Sequence, residues 1–286
     1  MTATDFFDMN AAPMRIGTVR LKVRDLETIS AFYRNILGLR PMESDEGRVV
    51  LGTGETPLLE LAGDPSLTPR APRQAGLFHT AFLMPSRGDL ARWLAAVGEA
   101  GVPLQGASDH TVSEAIYLSD PEGNGVEVYA DRPTSRWRTP QGEVQMTTEP
   151  LDLHDLLKAA GRARWSGFPE GGSIGHVHLQ VGETDTADGF YRDVLGFDIA
   201  ARYPGASFYG SGGYHHQLAG NVWNSRGAGL RPAGMAGLDA VEIVVRDHTR
   251  RDAIGRRAEQ AALPLEREAD RLTLQDPWGT RVILTQ

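Results

Sequence analysis

Two rhythms of apolar and polar positions alternate along this chain. "IGTVRLKVRDLETISAFYRNILGLRP" begins at Ile16 and "IGHVHLQVGETDTADGFYRDVLGFDI" at Ile174. Each opens with alternating residues, the period of a half-buried strand. Each continues through an acidic helix start into an F-Y-R core, where Ser30, Phe32, Tyr33, Ile36 and Leu37 make an apolar helical stripe. Gly38 and Gly196 stand where a helix C-terminal glycine belongs. Weaker copies begin at Gly76 and Gly237, and their last strands follow the turns "DPEGNGVEVYA" from Asp120 and "DPWGTRVILTQ" from Asp276. Asp-Pro-x-Gly is a turn signal. The unit is therefore β-α-β-β-β, present four times over residues 14–64, 75–133, 172–224 and 235–286.

The segment 134–171 breaks the repeat. It holds one short helical run, Leu151 to Ala160, and links two halves, 14–133 and 172–286, of two modules each. One module has too few strands to close a core alone. Two side by side would make one curved sheet around a cavity, with helices outside. The expected fold is α+β: four βαβββ modules forming two curved-sheet half-barrels.

Composition narrows the chemistry. Apolar residues make up 41% and charged residues 23% of 286 positions, which is globular composition. A net charge of −8 argues against a phosphate-tracking nucleic-acid binder. No apolar run is long enough to span a membrane, and "MTATDFFDMNAAPM" has no basic start followed by an apolar stretch, so the cytoplasm is the expected compartment. The chain has no cysteine, so any metal must be held by His, Asp or Glu. Oligomeric state is left open, a homo-oligomer included.

The module pattern, "GHVHLQV…FYRDVLGF" and "DPEGNGVEVYADRP" together resemble the vicinal-oxygen-chelate superfamily of glyoxalases, extradiol ring-cleaving dioxygenases and bleomycin-resistance binding proteins. "HTVSEAIYLSDPEGNGVEVYADRP" with "GGYHHQLAGNVW" is most similar to its catechol-2,3-dioxygenase branch. The resemblance implies a divalent metal held by a first-strand His and a last-strand Glu of paired modules. Those positions are Thr18 and Glu60 in module 1, His79 and Glu127 in module 2, His176 and Gln217 in module 3, and Ala240 and Ile283 in module 4. Only His79, Glu127 and His176 complete a two-His, one-carboxylate set, and they do so only if module 2 pairs with module 3 and module 1 with module 4. Six of the eight histidines fall in modules 2 and 3, which favours one functional cavity there. In the other pairing, Glu242 with His176 and His215 is the alternative set.

Such a triad leaves three adjacent positions open on Fe(II). The resemblance implies that they serve a small aromatic diol and O2, with Fe(II) as metal and Mn(II) as second choice. Acid–base candidates are His178, on the strand face of His176, His215, expected inward with Gln217, and His110 and Tyr129. His216 is expected to point away unless a bulge in "GSGGY" shifts the register. His216, Gln217, Phe208 and Trp223 are the candidate substrate contacts. The reading is a metal-dependent extradiol dioxygenase. The rivals are a glyoxalase-like lyase or isomerase, which Gln217 as a fourth ligand would favour, and a metal-free drug-binding protein.

Overall fold

The computed structural model of the chain describes residues 5–139 and 143–286; four residues of the N-terminal stretch and three of the linker read above lie outside them. Module 1 runs β1 (Met14–Val23), α1 (Leu26–Asn35), β2 (Arg40–Asp45), β3 (Arg48–Thr53) and β4 (Thr56–Gly63). Module 2 runs β5 (Gly76–Leu83), α2 (Arg87–Glu99), β6 (Gly106–Asp109), β7 (Ser113–Ser119) and β8 (Gly125–Asp131). The linker contributes β9 (Glu149–Pro150) and α3 (Leu153–Lys158). Module 3 runs β10 (Ser173–Gln180), α4 (Thr184–Asp188), a π-helical turn (Gly189–Val194), β11 (Asp198–Tyr203), β12 (Ala206–Gly210) and β13 (Leu218–Asn221). Module 4 runs β14 (Gly237–Val245), α5 (His248–Gln260), β15 (Leu265–Arg267), β16 (Leu272–Gln275) and β17 (Arg281–Thr285).

The strands form two mixed sheets. One has the order β15-β16-β17-β14-β1-β4-β3-β2, the other β11-β12-β13-β10-β5-β8-β7-β6-β9. Neither half of the chain owns a sheet: each gives one module to each, so module 1 pairs with module 4 and module 2 with module 3. The seams are the antiparallel pairs β1–β14 and β5–β10. The linker adds β9 to the outer edge of the second sheet, against β6. Among the described residues, no helix is long and apolar enough to cross a membrane.

Strict alternation fails at the seams, for a physical reason. Along β10 and just past its end the core residues are Ile174, then Val177, Leu179 and Val181, because Gly175 is an extra residue between the paired positions Ile174 and His176. Opposite, Phe78 is extra between Leu77 and His79. A bulge bends the strand and re-aims its side chains, so the β5–β10 seam keeps one apolar row in the core and turns the other row to the opposite face. The first sheet repeats both bulges, at Gly17–Thr18 in β1 and Asp239 in β14. Gly175 is required by a close approach, since a Cβ there would stand 1.7 Å from the Tyr129 hydroxyl.

The two sheets are also fastened to each other through side chains. Each Asp-Pro turn uses one carboxylate oxygen to gather backbone N–H groups: Asp120 takes those of Glu122 and Asn124, and Asp276 those of Trp278 and Thr280. The other oxygen receives the tyrosine of an F-Y-R helix from the opposite sheet, Tyr33 to Asp120 at 3.3 Å and Tyr191 to Asp276 at 2.7 Å. Burial pushes both carboxyls above their ordinary range, with these hydrogen bonds opposing it. Removing a hydrogen bond to a buried carboxylate costs about 1–2 kcal/mol. Tyr191→Phe should therefore lower the urea midpoint clearly, Tyr33→Phe less because its bond is longer, and the double variant by about the sum. Unchanged midpoints would show that these bonds do not hold the sheets together.

Candidate metal centre and cavity

The concave face of the second sheet encloses a cavity of about 1520 Å³, above the roughly 300–1,000 Å³ common for small-molecule sites. His79 projects into it from β5, Glu127 from β8 and His176 from β10. All three are buried, and their ligand atoms lie within 4.8 Å of one another. His79 Nε2 stands 2.9 Å and His176 Nε2 3.2 Å from the same oxygen, Glu127 Oε2. The His79 contact lacks hydrogen-bond geometry, so among the described residues this buried nitrogen has no hydrogen-bond partner, and neither has His176 Nδ1.

The electrostatics suit a cation. Burial pushes the His176 imidazole down to about 4, and the nearby Glu127 carboxylate only partly opposes this. Burial also opposes ionisation of Glu127, but His176 and His79 outweigh it and hold the carboxyl well below its usual range. At neutral pH the site thus holds an ionised carboxylate with the His176 imidazole neutral. A buried carboxylate with no Arg or Lys beside it is costly, and a divalent cation accepting these donors would remove that cost. The oxygen and nitrogen donors fit Fe(II), Mn(II) or Zn(II), so the residues present fit the metal that the sequence implies.

Other polar side chains surround the triad. His178 faces His79 across the seam, ring centroids 4.9 Å apart. Its Nε2 takes a hydrogen bond from the Asn221 amide at 3.0 Å, while Asn221 Oδ1 accepts from the Trp223 amide, so the His178 proton is on Nδ1. His110 lines the cavity with Nδ1 2.6 Å from the Thr147 carbonyl and Nε2 2.6 Å from the Tyr117 hydroxyl. Tyr117 is the cross-strand partner of Glu127. Burial, then the Glu127 charge, raises its phenol well above 10, so it stays a donor. Phe78, Phe208 and Trp223 form an aromatic wall around His178, with centroids 5.0–5.7 Å from its ring.

Four sequence expectations differ from the structure. His216, not His215, lines the cavity, its ring 4.1 Å from that of His176. The alternation argument failed because residues 214–217 lie outside any strand, after a turn in which Gly212 and Gly213 have φ of +68° and +90°. His215 is fully buried behind this surface, against Trp137 and Tyr214. Gln217 is not at the fourth ligand position. Parallel pairing sets Ala81 beside Glu127 and Arg20 beside Glu60, and in module 3 it sets His178 beside Ala219. The position equivalent to Glu127 is therefore Ala219, while the Gln217 amide is spent on both backbone groups of Ser211. Tyr129 lies under His176 with its hydroxyl 2.7 Å from that of Tyr214, outside the cavity lining. Glu242 is far from the histidines, accepting from the Thr18 amide and the Thr285 hydroxyl in the other sheet.

Tyr117, Asn221 and Phe78 are absent from the sequence candidates. Tyr117 was within reach: once the Asp120–Asn124 turn fixes the β7–β8 hairpin, Ser119 faces Gly125 and Tyr117 must face Glu127. Asn221 and Phe78 carry no such local signal.

This fold and site define a cavity, built from paired βαβββ modules, whose wall carries a candidate metal site. The family model described as "Glyoxalase/Bleomycin resistance protein/Dioxygenase superfamily" matches residues 15–128 and 173–282, and the chain belongs to that superfamily. It is 39% identical over 267 residues to the Catechol-2,3-dioxygenase of Bacillus subtilis (strain 168), covering 92% of this chain and 93% of that protein. It is 30% identical over 162 residues to Biphenyl-2,3-diol 1,2-dioxygenase 3 of Rhodococcus globerulus, covering 54% of this chain and 85% of the relative. Glyoxalase I from Zea mays shares the fold, with a TM-score of 0.58, 16% identity, and coverage of 97% of this chain and 94% of that one.

The buried imidazoles make a prediction about pH. Burial holds His176 at about 4 and pushes His178 and His216 well below 6.5. In metal-free protein they stay neutral while unfolded histidines take up protons. Unfolding then binds protons between pH 6.5 and about 4, so stability falls as pH drops through that window. Glu127, ionised below its ordinary range, adds a loss of the same sign at the acid end. A bound cation keeps its ligands deprotonated and extends the stable range to lower pH. Urea midpoints from neutral to acid pH, with and without a chelator, check this; midpoints of metal-free protein that stay flat through that window would contradict it.

Proposed function

We propose that this chain is an extradiol ring-cleaving dioxygenase. It acts on catechol or a substituted aromatic diol with O2, and His79, Glu127 and His176 hold Fe(II). The observation that carries this reading is the convergence of two imidazoles on one buried carboxylate at the wall of an aromatic-lined cavity. The 39% identity to a catechol-2,3-dioxygenase over most of both chains supports the reaction class. The cavity volume supports a ring that carries a sizeable substituent.

A divalent iron bound here would lower the pKa of a diol hydroxyl and mediate electron flow between ring and O2. The chain's own residues do the rest. Phe78, Phe208 and Trp223 sandwich and desolvate the ring. His216 Nδ1 is engaged by His215 at 2.9 Å, so its Nε2 is free to take a substrate hydroxyl proton and return it to an oxygen as a bond breaks. Tyr117, kept protonated beside Glu127, gives its hydrogen to His110 Nε2, whose Nδ1–H is held by the Thr147 carbonyl, so its oxygen is left to accept from a substrate hydroxyl. His178, pinned by Asn221, presents Nδ1–H as a donor. Ala219 at the position equivalent to Glu127 supplies no fourth ligand, which counts against a glyoxalase-like reaction. The intact triad counts against a metal-free binding protein.

The test is anaerobic loading with Fe(II), then catechol and a series of ring-substituted catechols in air. O2 uptake matched to a yellow ring-cleavage product is expected. His79→Ala and Glu127→Ala should lose the metal, Glu242→Ala should keep it, and His216→Phe should keep it while kcat falls roughly 10²–10⁴-fold. Metal-loaded protein that consumes no O2 with any catechol would end this reading.

A further inference from the structure

Behind His216 the cavity wall continues as a chain of three polar groups, the buried His216 and His215 and the half-buried Asp131. Asp131 Oδ1 lies 2.9 Å from His215 Nε2, and His215 Nδ1 lies 2.9 Å from His216 Nδ1. Asp131 Oδ1 also accepts from the Tyr214 hydroxyl at 3.3 Å, and Tyr214 is in turn 2.7 Å from the Tyr129 hydroxyl. Among the described residues, His216 Nε2 has no hydrogen-bond partner, and His216 lines the cavity.

We propose that Asp131 and His215 are positioning residues that fix His216 in the tautomer with its proton on Nδ1 and a bare Nε2 toward the substrate. The inference rests on the reading of His216 as the group that takes the substrate proton. The argument is a donor–acceptor count. An ionised carboxylate only accepts, so the His215 nitrogen facing Asp131 carries a hydrogen. A singly protonated His215 then has a bare Nδ1, which can only accept, and in that arrangement His216 Nδ1 must be the donor. Neutral His216 has one hydrogen to give, and Nε2 is left as an acceptor. The hydrogen bond on one ring nitrogen decides what the other can do.

The framework holds this arrangement rigidly. His215 has no exposed surface and lies between the rings of Tyr214, 4.0 Å away, and Trp137, 4.9 Å away, so its plane cannot turn. Asp131 ends β8, the strand that carries Glu127. Residues two and four apart on a strand share a face, so Glu127, Tyr129 and Asp131 form one row. A single strand thus sets the metal-side carboxylate and the carboxylate that orients the base.

The test reads the tautomer directly. Histidine ring ¹⁵N shifts are recorded on the full chain, with metal chelated away and His216 identified by the signal lost in His216→Gln. The wild-type chain should show His216 as the Nδ1–H form. Asp131→Asn and His215→Phe should convert it to the Nε2–H form or to a mixture, and Asp131→Glu should restore it. In the Fe(II)-loaded enzyme, Asp131→Asn should lower kcat for catechol roughly 10- to 100-fold while KM and metal content stay within about twofold. His216 found as Nε2–H in the wild-type chain, or unchanged in both Asp131→Asn and His215→Phe, would overturn the proposal. The tautomer readout needs neither substrate nor iron, so it stands or falls separately from the dioxygenase reading.

Discussion

The chemistry of this protein depends on one antiparallel pairing, β5 with β10. It joins strands separated in sequence by a helix, three strands and the whole linker, and it sets His79 opposite His178 and His176 opposite Ala81. The two bulges in that seam let each strand bury an apolar row in the core while His79, His176 and His178 face the cavity. Glu127 then needs only the parallel pairing of β8 with β5 to arrive beneath both imidazoles. A slip of one residue at the seam would exchange core and cavity rows, and the apolar row behind it opposes that slip.

The first sheet shows what the same frame becomes without the histidines. Glu60, at the position of Glu127, is neutralised by Arg20 at 3.3 Å and Arg48 at 3.0 Å. Glu242 fills the space left by Gly17 and is satisfied by the Thr18 amide and the Thr285 hydroxyl. Both of these carboxylates have protein partners, and among the described residues His79, Glu127 and His176 are the one cluster placed to hold a cation. In the second sheet the groups beside Glu127 are two imidazoles, one without a hydrogen bond, and the Tyr117 phenol, with no Arg or Lys among them. One architecture thus serves as a scaffold in one copy and as a site in the other.

The linker takes part in both roles. It continues the second sheet through β9, its Thr147 carbonyl holds His110, and Trp137 packs on His215. A segment that reads as a spacer between halves becomes one wall of the cavity. The part of it before the helical run at Leu151 has neither a helical nor a strand period to reveal this, because its contacts are made by single residues against distant strands.

By itself, the sequence determined the four βαβββ modules, their turns and the identity of the three candidate ligands. Local rules govern those features: strand alternation, helix spacing and the Asp-Pro turn act over a few residues, and the ligands were visible because they recur at matching points of a repeat. The tertiary structure decided which modules share a sheet, which of His215 and His216 faces the cavity, that Ala219 rather than Gln217 matches Glu127, and that Tyr117 rather than Tyr129 is the phenol beside the carboxylate. Each of these turns on register. The glycine turn before Tyr214 and the seam bulges add or remove single residues between paired positions, and a shift of one reverses the face of a side chain. That count is fixed only when distant strands pair and bury their apolar rows together.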